Sequence, residues 1–116
     1  MSETQQIKNT VMMLAALAQE TRLSLFRLLV RRGPDGLMAG DIARSLNVPN
    51  STLSYHLSEL ERAGLLISTK KQRHIIYAAN MTQVDGFLSF LIEDCCRGSG
   101  DLCFTSLDKT IKANIP

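Results

Sequence analysis

Three cysteines carry the most distinctive chemistry in this sequence. Cys95, Cys96 and Cys103 lie within nine positions of each other, and the chain contains no other cysteine. The Gly98-Ser99-Gly100 segment between them would let the chain double back, so that the three thiols could meet. Thiolate sulfur is a soft ligand. We therefore predict that these cysteines form a three-coordinate pocket for one thiophilic ion.

The number of thiols favours some ions over others. As(III) and Sb(III) suit three thiolates, because their lone pair blocks a fourth position. Zn(II) normally takes four ligands and would need Asp94, Asp101 or water to complete a tetrahedron. Two alternatives stay open: three nearby thiols can form a regulatory disulfide, and Cys95 could be a small buried apolar residue.

A second group of residues has the side-chain types that contact DNA. Hydroxyl-bearing residues occupy the first turns of a predicted helix, where recognition helices meet base edges and phosphates. The net charge is only +2, but residues 66–80 carry three cations and no acidic residue, which indicates an anionic partner there. The residues predicted to contact DNA are Asn50, Ser51, Thr52, Ser54, Tyr55, Lys70, Lys71 and Arg73.

Each of these features also has a simpler interpretation. Serine and threonine are common at solvated helix starts, where they cap the backbone, and a basic turn can serve solubility alone. Three cations within four residues, without an acid, favour DNA. His56 lies among Leu53, Leu57 and Leu60 on the inward face of the same helix, so we interpret it as a structural histidine rather than a ligand.

Length and composition limit the possible classes of protein. The chain has 116 residues, of which 45% are apolar and 21% charged, and this predicts one globular domain over residues 1–116. The longest apolar run, Val11–Ala18, is far shorter than the ~20 residues that span a bilayer. An odd number of cysteines and an N-terminal segment without a positive bias favour the cytoplasm over secretion.

Apolar residues at helical spacing predict five helices. The third is short and ends at Asn47, and the fourth begins with Pro49 in its first turn and ends at Gly64. The first helix is predicted over residues 5–17, and the second ends before Gly33-Pro34. The apolar faces predicted for the first, second and last helices are Ile7, Val11, Leu14, Ala15 and Ala18; Leu23, Phe26, Leu29 and Val30; and Val84, Phe87, Leu88, Leu91, Ile92 and Cys95.

The periodicity changes after the fourth helix. Leu65–Thr69 and His74–Ala79 are rich in β-branched and apolar residues and flank a polar turn at Lys70–Arg73, which predicts a β-hairpin. Two short helices joined by a turn and followed by a basic hairpin form a winged helix-turn-helix pattern, so we expect a mainly α fold with a small β-hairpin wing. Its geometry depends on Ala43, Asn47 and Leu53.

Three segments resemble the arsenical-resistance repressor (ArsR/SmtB) family. Leu17-Ala18-Gln19-Glu20-Thr21-Arg22-Leu23 is similar to the family's opening motif, LADPTRLxIL. Ser51-Thr52-Leu53-Ser54-Tyr55-His56-Leu57-Ser58-Glu59-Leu60 is similar to its recognition helix, STVSHHLxxL. Ala63-Gly64-Leu65-Leu66 continues into the wing as the family does. The resemblance covers roughly residues 7–92, and its motifs occur in order.

The resemblance implies a homodimeric repressor that dimerises through its first and last helices. The family's Cys-x-Cys inducer site matches Leu37–Asp41, which contains no thiol, and its zinc site on the last helix is in doubt because residues 82–96 contain no histidine. Some arsenic-responsive members resemble this sequence in having a Cys-Cys pair and a third cysteine near the end of the last helix. This implies As(III), Sb(III) or a trivalent organoarsenical as the inducer.

The sequence thus predicts a repressor that binds double-stranded operator DNA and releases it when a trivalent metalloid binds. We expect no enzymatic activity and no required cofactor, because the chain contains neither a Gly-rich phosphate loop nor a catalytic constellation. Two alternatives remain: a repressor that senses thiol oxidation, and a winged-helix module that binds proteins and never meets DNA.

Overall fold

The computed structural model describes residues 2–93, which form five helices and three strands. In chain order these elements are α1 (Glu3–Leu17), α2 (Glu20–Arg32), β1 (Leu37–Met38), α3 (Ala39–Leu46), α4 (Asn50–Arg62), β2 (Leu66–Lys71), β3 (His74–Ala79) and α5 (Met81–Ile92). The strands form one antiparallel sheet in the order β1-β3-β2. The predicted fold class, mainly helical with a β wing, is confirmed.

Packing divides the chain into two units, with the boundary in α5 between Asp85 and Gly86. The first unit contains all elements from α1 to β3 and the start of α5. In the second unit, residues 86–93 are described. A single domain over residues 1–116 stays a prediction. Of the helices in the described part of the chain, none has the length and apolarity needed to cross a membrane.

The core of the first unit lies around the inward face of α4. Leu53, Leu57 and Leu60 are buried there, as their spacing predicts, and burial of each contributes about 1.5–3 kcal/mol. α4 packs against α1, α2, α3 and β2. The other buried apolar residues of this unit are Met13, Ala16, Leu25, Leu29, Ile42, Ala43, Leu65, Leu66 and Val84.

The predicted inward face of α1 is wrong. Ile7, Val11 and Leu14 are exposed, whereas Met13 and Ala16 are buried. The sequence from residue 11 to 18 is apolar on every side of the helix, so its periodicity does not distinguish the face that packs from the face that does not. α1 therefore carries an apolar face that the first unit leaves uncovered.

The predicted face of α2 is also partly wrong. Leu23 and Val30 are exposed, while Leu25, which lies off the predicted stripe, is fully buried together with Leu29. α2 begins at Glu20, three residues before the predicted apolar face begins, with the side chain of Gln19 accepting a hydrogen bond from the backbone N–H of Arg22 at 2.8 Å. The buried face of α2 is therefore centred on Leu25 and Leu29, and not on the stripe that the apolar spacing predicts.

The sheet differs from the predicted two-stranded hairpin in two respects. β1 adds a third strand, with Leu37 opposite Tyr77 and Met38 opposite Ile76. Two residues are too few for a strand period, so this strand gives no sequence signal. β2 also extends through Lys71, so that the tip is a two-residue turn in which Gln72 has a φ of 57°.

Two helix ends differ as well. Pro49 is the N-cap of α4, with an extended backbone, and does not lie in the helix's first turn as predicted. α5 ends at Ile92. The predicted apolar stripe continues to Cys95, which lies outside the described residues.

Gly36 allows β1 to lie beside β3. Its φ is +66°, and a Cβ there would overlap the carbonyl oxygen of Tyr77 and lie 2.7 Å from Cγ2 of Ile76. We predict that Gly36→Ala lowers the free energy of unfolding by at least about 2 kcal/mol, from backbone strain and from displacement of β3. Urea unfolding followed by circular dichroism measures this change.

Gly40→Ala is the matched control. Gly40 lies inside α3, where the nearest atom to an added Cβ is Nη1 of Arg44 at 3.6 Å. Alanine favours a helix over glycine by roughly 0.5–1 kcal/mol, so this variant should be as stable as the wild type or slightly more stable. Equal stability of the two variants would contradict the role of Gly36.

Candidate nucleic-acid interface

The turn between α3 and α4 has the geometry of a helix-turn-helix. Asn47 adopts the left-handed conformation, with φ 55° and ψ 50°, which asparagine tolerates better than most residues. The N–H of Val48 donates to the carbonyl oxygen of Ala43 at 3.1 Å. Ala43 and Leu53 are both buried, so the roles predicted for Ala43, Asn47 and Leu53 are confirmed.

The outward face of α4 is exposed along its first turns. All five of its predicted contact residues are exposed: Asn50, Ser51, Thr52, Ser54 and Tyr55. Among the described residues no side chain caps α4, because the N-cap is Pro49. The start of α4 is therefore solvated, as the simpler interpretation expects, but the capping that this interpretation also expects is wrong. The positive end of the helix dipole and the nearby hydroxyls face solvent together, an arrangement that binds anions.

The inward face of α4 includes one polar residue. His56 is only 7% exposed, and Nη1 of Arg22 lies 3.5 Å from its Nδ1. Burial, and then the positive charge of Arg22, lower the pKa of His56 from its usual value. The neutral ring is thus favoured, and the interpretation of His56 as a structural residue is confirmed.

The wing carries three exposed positive charges. Lys70 and Lys71 are exposed at the end of β2, and Arg73 is exposed in the turn. Within residues 2–93 the ion pairs are Arg44 with Asp41 and Arg62 with Glu59, so no carboxylate of this part of the chain neutralises the wing.

Lys70 and Lys71 lie on opposite faces of the hairpin. They are consecutive residues of β2, opposite Ile75 and His74 of β3 respectively. Successive side chains in a strand point to opposite faces. A partner that covers one face of the hairpin therefore meets only one of the two lysines. A partner groove that encloses the hairpin tip meets both.

Two further basic residues, Arg44 and His74, lie beside Arg73 of the wing, and the sequence analysis did not predict them as contacts to DNA. Arg44 and His74 line the same open groove as Arg73, between the first turn of α3 and strand β3. The position of Arg44 in the first helix of a helix-turn-helix was the available signal, because that helix crosses the DNA backbone. His74 could not be recognised before the register of the hairpin was known.

The predicted thiol pocket lies outside the described residues. Cys95, Cys96 and Cys103 all fall within residues 94–116. Within residues 2–93, no group of three or more His, Cys, Asp or Glu side chains lies close enough together to hold a metal ion.

The chain is similar to known transcription regulators. A family described as a helix-turn-helix domain matches residues 17–69. The arsenical resistance operon repressor of Bacillus subtilis (strain 168) is 36% identical over 92 residues, covering 76% of this chain and 84% of that protein. The transcriptional repressor SdpR of the same organism is 30% identical over 87 residues, covering 75% and 93% respectively. The solved structure of an ArsR-like transcriptional regulator from Rhodococcus sp. RHA1 has a TM-score of 0.67 at 24% identity and covers 92% of this chain and 90% of its own.

We predict that Lys71→Ala and Arg73→Ala each weaken binding to all duplex sequences. Each variant should also reduce the slope of log affinity against log salt by about one unit for every phosphate that the side chain neutralises. Fluorescence anisotropy of a labelled duplex at several salt concentrations measures both quantities. Arg27→Ala, which removes an exposed charge from α2, is the matched control and should leave the slope unchanged. Unchanged slopes for both wing variants would remove the wing from the interface.

We predict that His56 makes the fold less stable in acid. Its pKa is lowered in the folded chain, so below its unfolded value of about 6.5 the unfolded state takes up a proton that the folded state resists. The free energy of unfolding should therefore fall as the pH decreases from 7.5 to 5.5. Urea unfolding of wild type and His56→Gln at both pH values isolates this contribution. Equal decreases in the two proteins would contradict it.

Proposed function

The chain belongs to the ArsR family of winged helix-turn-helix transcription regulators, and on this premise we propose that it is a transcriptional repressor. In this proposal, a homodimer binds double-stranded operator DNA and releases it when trivalent arsenic binds Cys95, Cys96 and Cys103. The observation that carries DNA binding is the exposure of polar side chains on α4 and of basic side chains on the wing, together with an uncapped start of α4.

α4 acts as the recognition helix in this proposal. Its first-turn N–H groups and the hydroxyls of Ser51 and Thr52 bind phosphate, and Ser54 and Tyr55 contact base edges in the major groove. The support is that none of these side chains is used to pack the core, since all four are exposed.

The wing binds the neighbouring minor groove. Because Lys70 and Lys71 lie on opposite faces of the hairpin, a tip set into this groove presents one lysine to each phosphate strand. Arg73, in the turn, is placed to enter the groove, where the potential is most negative if the groove is narrow.

The repressor acts as a homodimer. Four large apolar residues of α1 are exposed, namely Ile7, Val11, Met12 and Leu14, and α5 exposes Leu88 and Leu91. Large exposed apolar patches commonly mark interaction sites, so we assign each of these two helix faces to contact with a second copy. A dimer of winged helices reads two half-sites about one DNA turn apart, which makes the operator pseudo-palindromic.

The donor set supports a trivalent metalloid as the inducer. Three cysteines supply soft sulfur ligands within nine positions, while no other cysteine occurs in the chain. Three thiolates satisfy trivalent arsenic or antimony, whereas structural zinc normally needs a fourth ligand. A reducing cytoplasm keeps these thiols available, and the proposal includes no catalytic step and no resident cofactor.

The inducer acts at a distance from the DNA. Its ligands follow α5 in the chain and lie about forty residues from α4. Drawing the three thiols together distorts the end of the last helix and thereby changes the spacing of the two recognition helices. The ligand shifts this equilibrium only by its differential affinity for free and DNA-bound protein.

We predict that replacing Cys95, Cys96 and Cys103 by serine leaves operator binding within a few-fold of the wild type but abolishes its response to arsenite. The measurement is anisotropy of a labelled operator duplex during arsenite titration under reducing conditions. The duplex is first selected from a random pool by the wild-type protein. Each single Cys→Ser variant should also fail to respond, because two thiolates leave the ion under-coordinated.

Two other outcomes would contradict this function in different ways. Full release from the triple variant would show that arsenite acts elsewhere than on these cysteines. Release of the wild type by oxidant, with none by arsenite, would support a redox sensor instead. Zinc and cadmium, tested in parallel, check that the response is selective for a trivalent metalloid.

A further inference from the structure

Arg22 connects three elements of the first unit. It lies at the start of α2, where its Nε donates to the carbonyl oxygen of Ala16 in α1 at 2.7 Å. Its Nη1 lies 3.5 Å from Nδ1 of His56 in α4. Its guanidinium carbon also lies 5.9 Å from the ring centroid of Tyr55, over the ring. Arg22 therefore contacts both the packed face of the recognition helix and a residue of its reading face.

The groups around Arg22 fix its position. His56 is 7% exposed, and Ala16 is buried at the end of α1, so neither acceptor is free to follow a moving side chain. The backbone N–H of Arg22 is held as well, because it donates to the side chain of Gln19 at 2.8 Å. A guanidinium has donors in a rigid planar fork, which suits it to two acceptors at once.

Tyr55 differs from the other residues of α4 that are predicted to contact DNA. Although it is 59% exposed, its ring has two neighbouring side chains. The guanidinium of Arg22 lies over it, and the ring of His56 is 5.5 Å away at a tilt of 59°. Asn50, Ser51, Thr52 and Ser54 have no such contact within the described part of the chain.

We infer that Arg22 is a positioning residue for sequence recognition: it holds the ring of Tyr55 in one orientation on the recognition helix. This inference rests on the proposed contact between Tyr55 and the operator bases. Arg22 does not itself touch DNA, because it is half-buried and its guanidinium is directed at Ala16 and His56. An ordered side chain discriminates bases better than a mobile one, since its ordering entropy does not oppose binding.

Arg22 and Tyr55 should act as one unit in discrimination. Tyr55→Ala and Arg22→Lys should each reduce discrimination between the preferred duplex and single-base variants of it by about two- to five-fold, the value of one exposed cation–π contact. The double variant should discriminate no less than Tyr55→Ala alone, because coupled residues are not additive. Lysine keeps the charge of Arg22 but lacks the planar fork that contacts Ala16 and His56 together. It should therefore not stay in place over the ring of Tyr55.

The experiment compares sequence profiles of the wild type, Arg22→Lys, Tyr55→Ala and the double variant, each selected on a random pool of duplexes. Arg27→Lys is the matched control, an exposed arginine of the same helix whose replacement should leave the profile unchanged. Salt slopes separate positioning from direct contact: Arg22→Gln, which removes the charge, should keep the wild-type slope, as a non-contacting residue does.

A second measurement needs no DNA. Ring resonances of Tyr55 in the NMR spectrum of labelled protein should shift in Arg22→Lys, while those of Tyr77, the other tyrosine, should not. The same spectrum shows whether the variant is folded. If it unfolds, Gln19→Ala, which removes only the hydrogen bond to the backbone of Arg22, tests the same support more mildly.

Each outcome has a distinct meaning. Three results would overturn the positioning role: additive effects of Arg22→Lys and Tyr55→Ala on discrimination, a wild-type sequence profile for Arg22→Lys, or unshifted ring resonances of Tyr55. A lower salt slope for Arg22→Gln than for wild type would assign Arg22 to the DNA backbone instead. A wild-type protein that enriches no sequence would contradict sequence-specific binding itself, whereas enrichment with additive variants overturns only this inference.

Discussion

Burial of one face of α4 is the constraint on which the rest of the described structure depends. Leu53, Leu57 and Leu60 are inaccessible to solvent or nearly so, and four other elements pack against this helix. A helix that buries one face must present the opposite one, so the same packing that stabilises the first unit also orients Ser51, Ser54 and Tyr55 outward. Stability and recognition therefore have a common geometric origin.

The basic residues of α3 and α4 and those of the wing differ in whether a carboxylate pairs with them. Arg44 and Arg62 each pair with a carboxylate three residues earlier, and such exposed pairs contribute only about 0–1 kcal/mol to stability. Their main effect is to cancel positive charge on α3 and α4. The cations of the wing have no such partner among residues 2–93, and they therefore dominate the local field although the whole chain carries only +2. The hairpin tip therefore attracts a polyanion.

The sequence predicts those features that depend on local patterns. The regular spacing of Leu53, Leu57 and Leu60 and the left-handed tolerance of Asn47 were sufficient to predict the helix-turn-helix, and every predicted DNA-contacting residue is exposed. The predictions failed where a local pattern is ambiguous or absent. α1 is apolar on all sides, so its packed face depends on which neighbours it meets, and β1 is too short to have a period.

Features that arise only from tertiary contact could not be predicted from the sequence. Arg22, Tyr55 and Ala16 belong to three helices, and nothing in their spacing indicates that they meet. The same holds for Arg44 and His74, which share a groove only because β3 lies beside α3. The thiol pocket differs from these features, because it is predicted from the sequence alone, by the clustering of three cysteines within nine positions. It stays a prediction, since these cysteines lie outside the described residues.

The separation of the two faces of α4 also bears on how such a protein can evolve. Ser51, Thr52 and Ser54 project from the helix without supporting the fold, so mutations there can retarget the protein to a new operator at little cost in stability. Gene duplicates could thus diverge in the promoters they control while keeping one scaffold. Tyr55 is the exception, because Arg22, whose guanidinium lies over its ring, is inferred to position it, so that a replacement of one favours a change in the other. Divergence should accordingly be rapid at the three small residues and concerted at this pair.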